Sequence, residues 1–269
     1  YRVKFLNHTL LAILCIVITS FIFDIDLFSG RYSGVVWNAN MLASLTSIAF
    51  AVLFLKENKK TAFEIFLLLI LLLVSLATGS RGVLLSFALV FLIKYGFSNR
   101  NLFYASLAFF SYIMIINFQL DTSVNRFATQ SLFNDRILQY KYALESILEK
   151  MYTGYGLDKY AYIDKSLVPL FLKGTVMGAH NGYLAILTQY GIVFGSVVLF
   201  IIFNKCTQVI NYFRNSFNTE RTYMFIIIYG LFASVYETMI TGINEFHTIL
   251  FWSALAFLSF SKFRSEHEK

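Results

Sequence analysis

The pair His180 and Asn181 stands where a polar segment meets a long apolar run, within Gly-Ala-His-Asn-Gly at residues 178–182. Neutral imidazole titrates near ~6.5, so a histidine at such a boundary can accept a proton from a hydroxyl group. The alternative is that His180 caps a helix or lies at an interface, as single histidines more often do. His8 and His247 lack a comparable setting.

Two arginines lie in short glycine-containing segments between apolar runs. Arg81 belongs to Thr-Gly-Ser-Arg-Gly at residues 78–82. An arginine there is costly unless it is paired, and its planar guanidinium group suits phosphate oxygens; a charge that only reaches towards water is the alternative. Arg31 belongs to Gly-Arg-Tyr-Ser-Gly at residues 30–34, shortly before Asn38 and Asn40. A loop held by glycines and asparagines is the alternative at that position.

Two further arginines, Arg126 and Arg136, fall in the longest polar stretch of the chain. Asn134 or Asp135 can cap a helix that runs to about Met151. Arg136 would then lie in the first turn, where a cation is unfavourable with respect to the helix dipole. Either Asp135 or a bound anion would offset it. One side of this helix is predicted to carry Ile137, Tyr140, Leu144, Ile147 and Met151.

The remaining residue patterns argue against a metal, a cofactor or a disulfide. Cys15 and Cys206 are far apart and match no metal-ligand spacing. The sequence holds no carboxylate pair at metal spacing, no phosphate-binding loop and no nucleophile elbow. We therefore expect neither a disulfide nor a zinc site.

The elements that must position these residues are membrane helices. Of 269 residues, 58% are hydrophobic and 14% charged, and the mean hydropathy is +0.65. A soluble globular domain has about 25% charged residues. A single proline in the chain favours long unbroken helices. A formal charge of +7 could indicate nucleic acid, but most basic residues lie between apolar runs, so we expect an all-α integral membrane protein that binds no nucleic acid.

Eight runs approach the ~20 residues that a helix needs to cross a bilayer. Glu64 and Lys94 lie near the ends of two of them, and Glu237 lies inside the seventh, where we assign it no role. Small residues recur at every fourth position in two of the runs and predict close helix packing. They are Ala39, Ala43, Ser47 and Ala51 in one run and Gly191 with Gly195 in another. The runs are Phe5–Phe23, Ala39–Leu55, Thr61–Thr78, Gly82–Phe97, Leu102–Phe118, Tyr183–Phe203, Tyr223–Ile240 and Thr248–Ser261.

The positive residues orient these crossings, because lysine and arginine are retained on the cytoplasmic side. With both ends of the chain inside, the short outer turns hold only Arg31 and Arg81. We expect a single transmembrane domain over residues 1–269 in the cell membrane, with an extracytoplasmic loop over 119–182 between crossings five and six. The inner segments hold Arg2, Lys4, Lys56, Lys59, Lys60, Lys94, Arg100, Lys205, Arg214, Arg221, Lys262, Arg264 and Lys269.

The order of these motifs resembles the O-antigen ligase and O-antigen polymerase superfamily, the WaaL-type and Wzy-type membrane proteins. Thr-Gly-Ser-Arg-Gly is followed by two crossings, a long loop with an Asp-Arg helix and Gly-Tyr-Gly at 154–156, and His-Asn opening a helix that continues with Tyr-Gly-Ile. The likeness covers about residues 28–203. Family members usually carry more than eight crossings, so we expect further crossings before Tyr1.

The resemblance implies a metal-independent, inverting transferase that acts on undecaprenyl-diphosphate-linked sugars at the outer leaflet. It implies that Arg81 and Arg136 bind the diphosphate and that His180 acts as general base with Asn181 orienting the acceptor. Arg31 is a less secure member of the site, and Arg126 is a further candidate for substrate binding. The implied partners are the lipid-linked oligosaccharide and membrane lipid, and the resemblance allows a flippase and a chain-length regulator of the same pathway.

Three other functions stay open beside a polysaccharide polymerase. An O-antigen ligase would transfer the glycan to a lipid A core, a flippase or transporter would use arginines along a substrate path, and a structural scaffold would need no such arrangement. We favour a polymerase of capsular or exopolysaccharide chains because the composition is rich in Phe, Ile, Leu, Asn and Lys and poor in proline. AT-rich coding produces this bias, and it is common in bacteria without an outer membrane.

Overall fold

The computed structural model of the chain describes residues 2–27, 31–80, 82–96, 98–104, 106–107, 134–156, 180–216, 219–242 and 245–267, except the side chains of residues 134–136 and 138. These residues are mainly helical, and they divide into two compact units. One unit contains residues 1–131 and 215–225, and the other contains 132–214 and 226–269. The helices are α1 (Arg2–Phe23), α2 (Ala39–Phe54), α3 (Ala62–Ala77), α4 (Gly82–Tyr95), α5 (Asn134–Glu149), α6 (Gly182–Phe213), α7 (Thr219–Ala233) and α8 (Phe246–His267).

Within the described residues, three helices are long and apolar enough to cross a membrane, namely α1, α6 and α8, and α2, α3 and α4 are shorter apolar helices. The predicted all-α membrane architecture is therefore confirmed. The count of eight crossings stays a prediction, because most of the run Leu102–Phe118 lies outside the described residues.

The first unit is built around α2, which packs against α1, α3 and α4. The predicted close packing along the small residues of α2 is confirmed, since all four are buried. Two hydroxyl pairs join the helices: Ser75 Oγ donates to Thr46 Oγ1 at 2.7 Å, and Ser86 Oγ lies 2.8 Å from Ser47 Oγ. The four small residues are Ala39, Ala43, Ser47 and Ala51.

One face of α3 is apolar and exposed, which suits contact with lipid. A capping box begins this helix, in which the Thr61 hydroxyl accepts from the Glu64 amide and the Glu64 carboxylate accepts from the Thr61 amide. In water such a face would be unfavourable, because each exposed large apolar side chain forgoes about 1.5–3 kcal/mol of burial. The exposed residues are Phe63, Ile65, Phe66, Leu69 and Leu73.

In the second unit, α6 is broken near its start. The close backbone approach predicted at Gly191 is confirmed, since an added Cβ would lie 2.7 Å from Met151 O, but the helix predicted through this residue is wrong. Gly191 has φ 73° and ψ 171°, which is not helical. The break frees the carbonyl groups of Thr188 and Gln189, and these accept from the amides of Tyr155 and Gly156, each at 2.9 Å. The Gly-Tyr-Gly motif thus completes the backbone hydrogen bonding of a helix that follows it in the sequence.

Two further expectations, on α5 and on the seventh apolar run, are tested in this unit. The buried face of α5 is made by Gln139, Tyr142, Ala143, Ser146 and Ile147. Of the stripe predicted to lie on the membrane surface or on the bundle, Ile147 is buried, whereas Ile137 and Leu144 are more than half exposed. The stripe therefore packs on the protein only in part. The seventh apolar run is also shorter as a helix than predicted, since α7 ends at Ala233 and the chain turns from there to residue 242.

Candidate active site

His180 and Asn181 lie at the start of α6, as the sequence predicted, and Asn181 is the N-cap. Its side-chain oxygen accepts from the amides of Tyr183 at 2.9 Å and Leu184 at 3.0 Å. These are two of the four amides that a helix start leaves without an internal partner. Asn181 is buried, and its side-chain oxygen holds the helix start; its predicted part in orienting an acceptor stays a prediction.

The turn after α7 anchors this helix start from the other side. Asn181 Nδ2 donates to the carbonyl group of Val235 at 2.8 Å. The Gly182 amide donates to the carbonyl groups of Ser234 at 2.8 Å and Glu237 at 3.1 Å. Gly182 is packed so closely that an added Cβ would lie 3.0 Å from Ile240 Cγ1. A larger residue after the His-Asn pair would require the side chains of Ile240 and Ser234 to shift.

The backbone of His180 is in an uncommon conformation, with φ 41°. Positive φ costs a residue with a Cβ roughly 1–2 kcal/mol and persists only where the surroundings impose it. Here the capped helix start and the turn after α7 impose it, and the imidazole side chain remains 48% exposed. The ring is thus held by a fixed backbone and stays accessible.

Glu237 lies beside His180, a contact that sequence reasoning missed. Its Oε2 atom lies 3.5 Å from His180 Nδ1, and its side chain is 15% exposed. The apolar run predicted that Glu237 lies inside a membrane crossing, but it lies in the turn after α7. A carboxylate in an otherwise apolar run was the one available signal, because such a charge is costly unless it has a partner.

Helix α5 reaches the same turn through a tyrosine. Tyr140 Oη donates to the carbonyl group of Val235 at 2.6 Å, so this carbonyl group accepts from both Tyr140 and Asn181. Arg136 precedes Tyr140 by one helical turn, in the first turn of α5. The side chain of Arg136 lies outside the described part of the structure.

Arg31 lies in the other unit, in a loop that packs on the end of α3. Its Nη2 atom donates to Asn40 Oδ1 at 2.9 Å. The neighbouring Tyr32 is buried, and its amide donates to the carbonyl group of Ala77 at 3.1 Å. Burial, together with Asp24, raises the pKa of the Tyr32 phenol above its ordinary value, so the phenol stays neutral. The loop of Arg31 thus adjoins the start of the turn at residues 78–82.

The described part of that turn is tightly bonded. The Thr78 hydroxyl donates to the Ser75 carbonyl group at 2.6 Å and accepts from the Ser80 amide at 3.2 Å. Thr78 and Ser80 are both buried. Arg81 and Arg126 lie outside the described residues, so the predicted grouping of the arginines with His180 stays a prediction.

A second histidine–carboxylate pair lies at the start of α8. His247 Nε2 is 2.7 Å from Glu245 Oε2, although neither atom has the geometry of a hydrogen bond. The His247 side chain is only 8% exposed. Because a substrate hydroxyl group must contact the base, this buried ring is the weaker candidate. Among the described residues, no three His, Cys, Asp or Glu side chains are grouped as metal ligands.

Comparison with known families matches the central part of the chain. The family described as O-Antigen ligase matches residues 66–200, a region that contains the turn at 78–82, helix α5 and the His180–Asn181 start of α6. Comparison with curated proteins found no match. Since the family match covers half of the chain and includes the motifs at 78–82, 154–156 and 178–182, the chain belongs to the O-antigen ligase family, within the superfamily of O-antigen ligases and polymerases.

Proposed function

We propose that this protein is a membrane glycosyltransferase that polymerises undecaprenyl-diphosphate-linked oligosaccharide repeat units at the outer leaflet of the cell membrane. The observation that carries the proposal is the setting of His180. Its backbone has a positive φ, its ring is accessible and a carboxylate lies beside the ring. The family match supports a transferase of this general kind. The products would be capsular, exopolysaccharide or O-antigen chains.

In the proposed reaction, His180 acts as general base. The acceptor sugar hydroxyl group gives its proton to the imidazole, and its oxygen attacks the anomeric carbon of the donor. The bond from that carbon to the diphosphate oxygen breaks on the opposite face, and undecaprenyl diphosphate leaves with the electron pair. The configuration at the anomeric carbon is therefore inverted. General-base catalysis of this kind contributes roughly 10²–10⁴ in rate.

Arginines supply the second part of the proposal. A diphosphate is already a good leaving group, and Arg81 and Arg136 would stabilise the charge that grows on it. The planar fork of arginine can bind two phosphate oxygens at once. This chemistry needs no metal ion. Arg31 and Arg126 are secondary candidates for the same task, and Asn181 would act by holding the helix start that carries His180.

The decisive experiment uses the purified protein and one substrate. Given only the lipid-linked repeat unit, it should produce a ladder of longer lipid-linked chains, and His180→Ala should produce none. A product that forms only when a lipid A core is added would identify a ligase, the second candidate, which the description of the matched family favours. Outward transport of the lipid without any glycan transfer would identify a flippase instead.

The orientation is tested by cysteine labelling in a variant in which Cys15 and Cys206 are replaced by serine. We expect that a membrane-impermeant thiol reagent labels a cysteine at Ser131 in intact cells but not one at Asn58, since lysine and arginine predict residues 119–182 to be outside. Labelling at Asn58 alone would reverse the orientation and contradict an outward active site.

A further inference from the structure

We propose that Glu237 is a positioning residue for catalysis, which orients the His180 ring and stabilises the positive charge that the ring acquires. The inference rests on the proposed role of His180 as general base. Glu237 itself would touch neither substrate nor leaving group. It would act entirely through the imidazole.

The distance between the two side chains supports these separate roles for His180 and Glu237. Glu237 Oε2 lies 3.5 Å from Nδ1 of His180, which is an ion-pair distance and slightly long for a hydrogen bond. Catalytic hydrogen bonds are often long before a substrate is bound, and they shorten in the complex. Because Nδ1 faces the carboxylate, Nε2 lies on the other side of the ring. Nε2 is therefore the nitrogen available to a substrate hydroxyl group.

The two side chains also differ in their exposure to solvent, and the difference supports the same two roles. The Glu237 side chain is 15% exposed and the His180 side chain 48% exposed. The carboxylate thus lies behind the ring, away from bulk water. Attraction between charges is stronger in such a place than in water, because the effective dielectric constant is lower. The carboxylate is therefore well placed to stabilise the positive charge that the ring acquires during proton transfer.

Backbone hydrogen bonds keep Glu237 close to the segment that carries His180. The Glu237 amide donates to the Ala233 carbonyl group at 2.8 Å, which ties the turn to the end of α7. The Glu237 carbonyl group accepts from the Gly182 amide at 3.1 Å, two residues after His180. Both ends of the pair are thus attached to the same helix start. A carboxylate held in this way can select one orientation of the ring at little entropic cost.

The proton balance of the reaction is then complete. The hydroxyl proton of the acceptor moves to Nε2, and the proton on Nδ1 stays on the ring, facing Glu237. The carboxylate remains ionised throughout, as the aspartate of a serine-protease triad does. Replacing Glu237 should therefore slow the proton transfer without weakening the binding of the lipid donor.

The test compares purified Glu237→Gln with the wild type in the polymerisation assay, with Glu245→Gln as the matched control from the second pair. We expect Glu237→Gln to lower kcat by roughly ten- to a hundredfold with an unchanged donor KM. This is less than the ~10⁴ found for a buried triad aspartate, since His180 is half exposed. Glu237→Asp, which keeps the charge, should retain more activity than Glu237→Gln, and Glu245→Gln should be near wild type.

A double variant separates this inference from the proposed function. His180→Ala with Glu237→Gln should be no slower than His180→Ala alone, because Glu237 acts only through the ring. If the two losses multiply, or if Glu237→Asp is as slow as Glu237→Gln, the positioning role is wrong while the base survives. If His180→Ala itself keeps wild-type turnover, the proposed base is wrong, and the role of Glu237 fails with it.

Discussion

Two helices of this chain begin with the same local structure but differ in what stands before it. Asn38 caps α2 by accepting from the amides of Asn40 and Met41, and Asn181 caps α6 by accepting from those of Tyr183 and Leu184. In each case the preceding residue has a positive φ, which is 61° for Trp37 and 41° for His180. The capping turn is therefore a shared structural device.

The surroundings make the difference between the two turns. Trp37 is 90% exposed, as suits an aromatic ring at a membrane interface. His180 has a carboxylate at 3.5 Å, and its cap is bonded to the turn after α7. An unusual φ is therefore no sign of function by itself. The combination of an unusual φ, a titratable ring and a charged neighbour distinguishes the His180 turn.

The largest expected effect breaks the comparison at the residue before each cap. His180→Ala should reduce polymer formation by roughly 10²–10⁴, the contribution of a general base. Trp37→Ala changes the equivalent position of the other turn and should leave turnover within about twofold of the wild type, because Trp37 has no part in the proposed chemistry. Both variants are measured in the purified assay at equal protein level. Equal losses in the two variants would contradict the assignment.

The next largest effect concerns the helices that follow the caps, since α6 is broken at Gly191 and α2 is continuous. Gly154 has φ 62°, and an added Cβ would overlap the Gln189 carbonyl group, so Gly154→Ala should destabilise the protein by about 3 kcal/mol from strain and displacement together. Gly156 has φ 75° with open space around it, and Gly156→Ala should cost about 1 kcal/mol. Thermal unfolding in detergent measures both. A reversed order would argue against the docked turn.

A smaller effect sharpens the comparison on the side of the arginines. Arg81→Lys loses the bidentate fork, and charge-assisted hydrogen bonds are worth about 1.5–3 kcal/mol, so activity should fall roughly ten- to a hundredfold. Arg31→Lys should lose only a few-fold, since Arg31 already donates to Asn40. Steady-state rates at varied donor concentration measure both. Full activity of Arg81→Lys would show that the fork is not needed at that position.

The smallest effect comes from the caps themselves. Asn38→Ala and Asn181→Ala should each cost about 1 kcal/mol of stability, the usual value of an N-cap. Only Asn181→Ala should also lower turnover, by about tenfold, because it releases the helix start from the Val235 carbonyl group. Melting curves and rates on the same samples separate the two quantities. If Asn38→Ala lowered turnover as much, the caps would not differ in function.

The sequence predicted the helices well wherever a run is apolar and bounded by polar residues. The run Ala39–Leu55 became α2 at Ala39–Phe54, and Thr61–Thr78 became α3 at Ala62–Ala77. His180 and Asn181 were also placed correctly at a helix start, because an asparagine before an apolar run is a recognisable cap.

Features made by distant residues could not be predicted in this way. Residues 234–240 are mostly apolar, so hydropathy extends the seventh run, yet the chain turns there to bond with Gly182. The break at Gly191 depends on a turn more than thirty residues earlier, and the glycine spacing alone suggested helix packing instead. The partner of His180 was missed for the same reason. Periodicity reports on neighbours along a helix, whereas these contacts join separate segments.

The break at Gly191 also limits how freely this protein can be recombined. The Ile192 amide donates to the Met151 carbonyl group at 2.7 Å. Two amides of the turn at 154–156 donate in the opposite direction, to carbonyl groups of α6. In a membrane each of these backbone groups would cost several kcal/mol if left without a partner. The segment after α5 and the start of α6 must consequently be kept together when parts of related proteins are exchanged. A chimera that takes the loop from one relative and the helix from another must keep both glycines, Gly154 and Gly191, together.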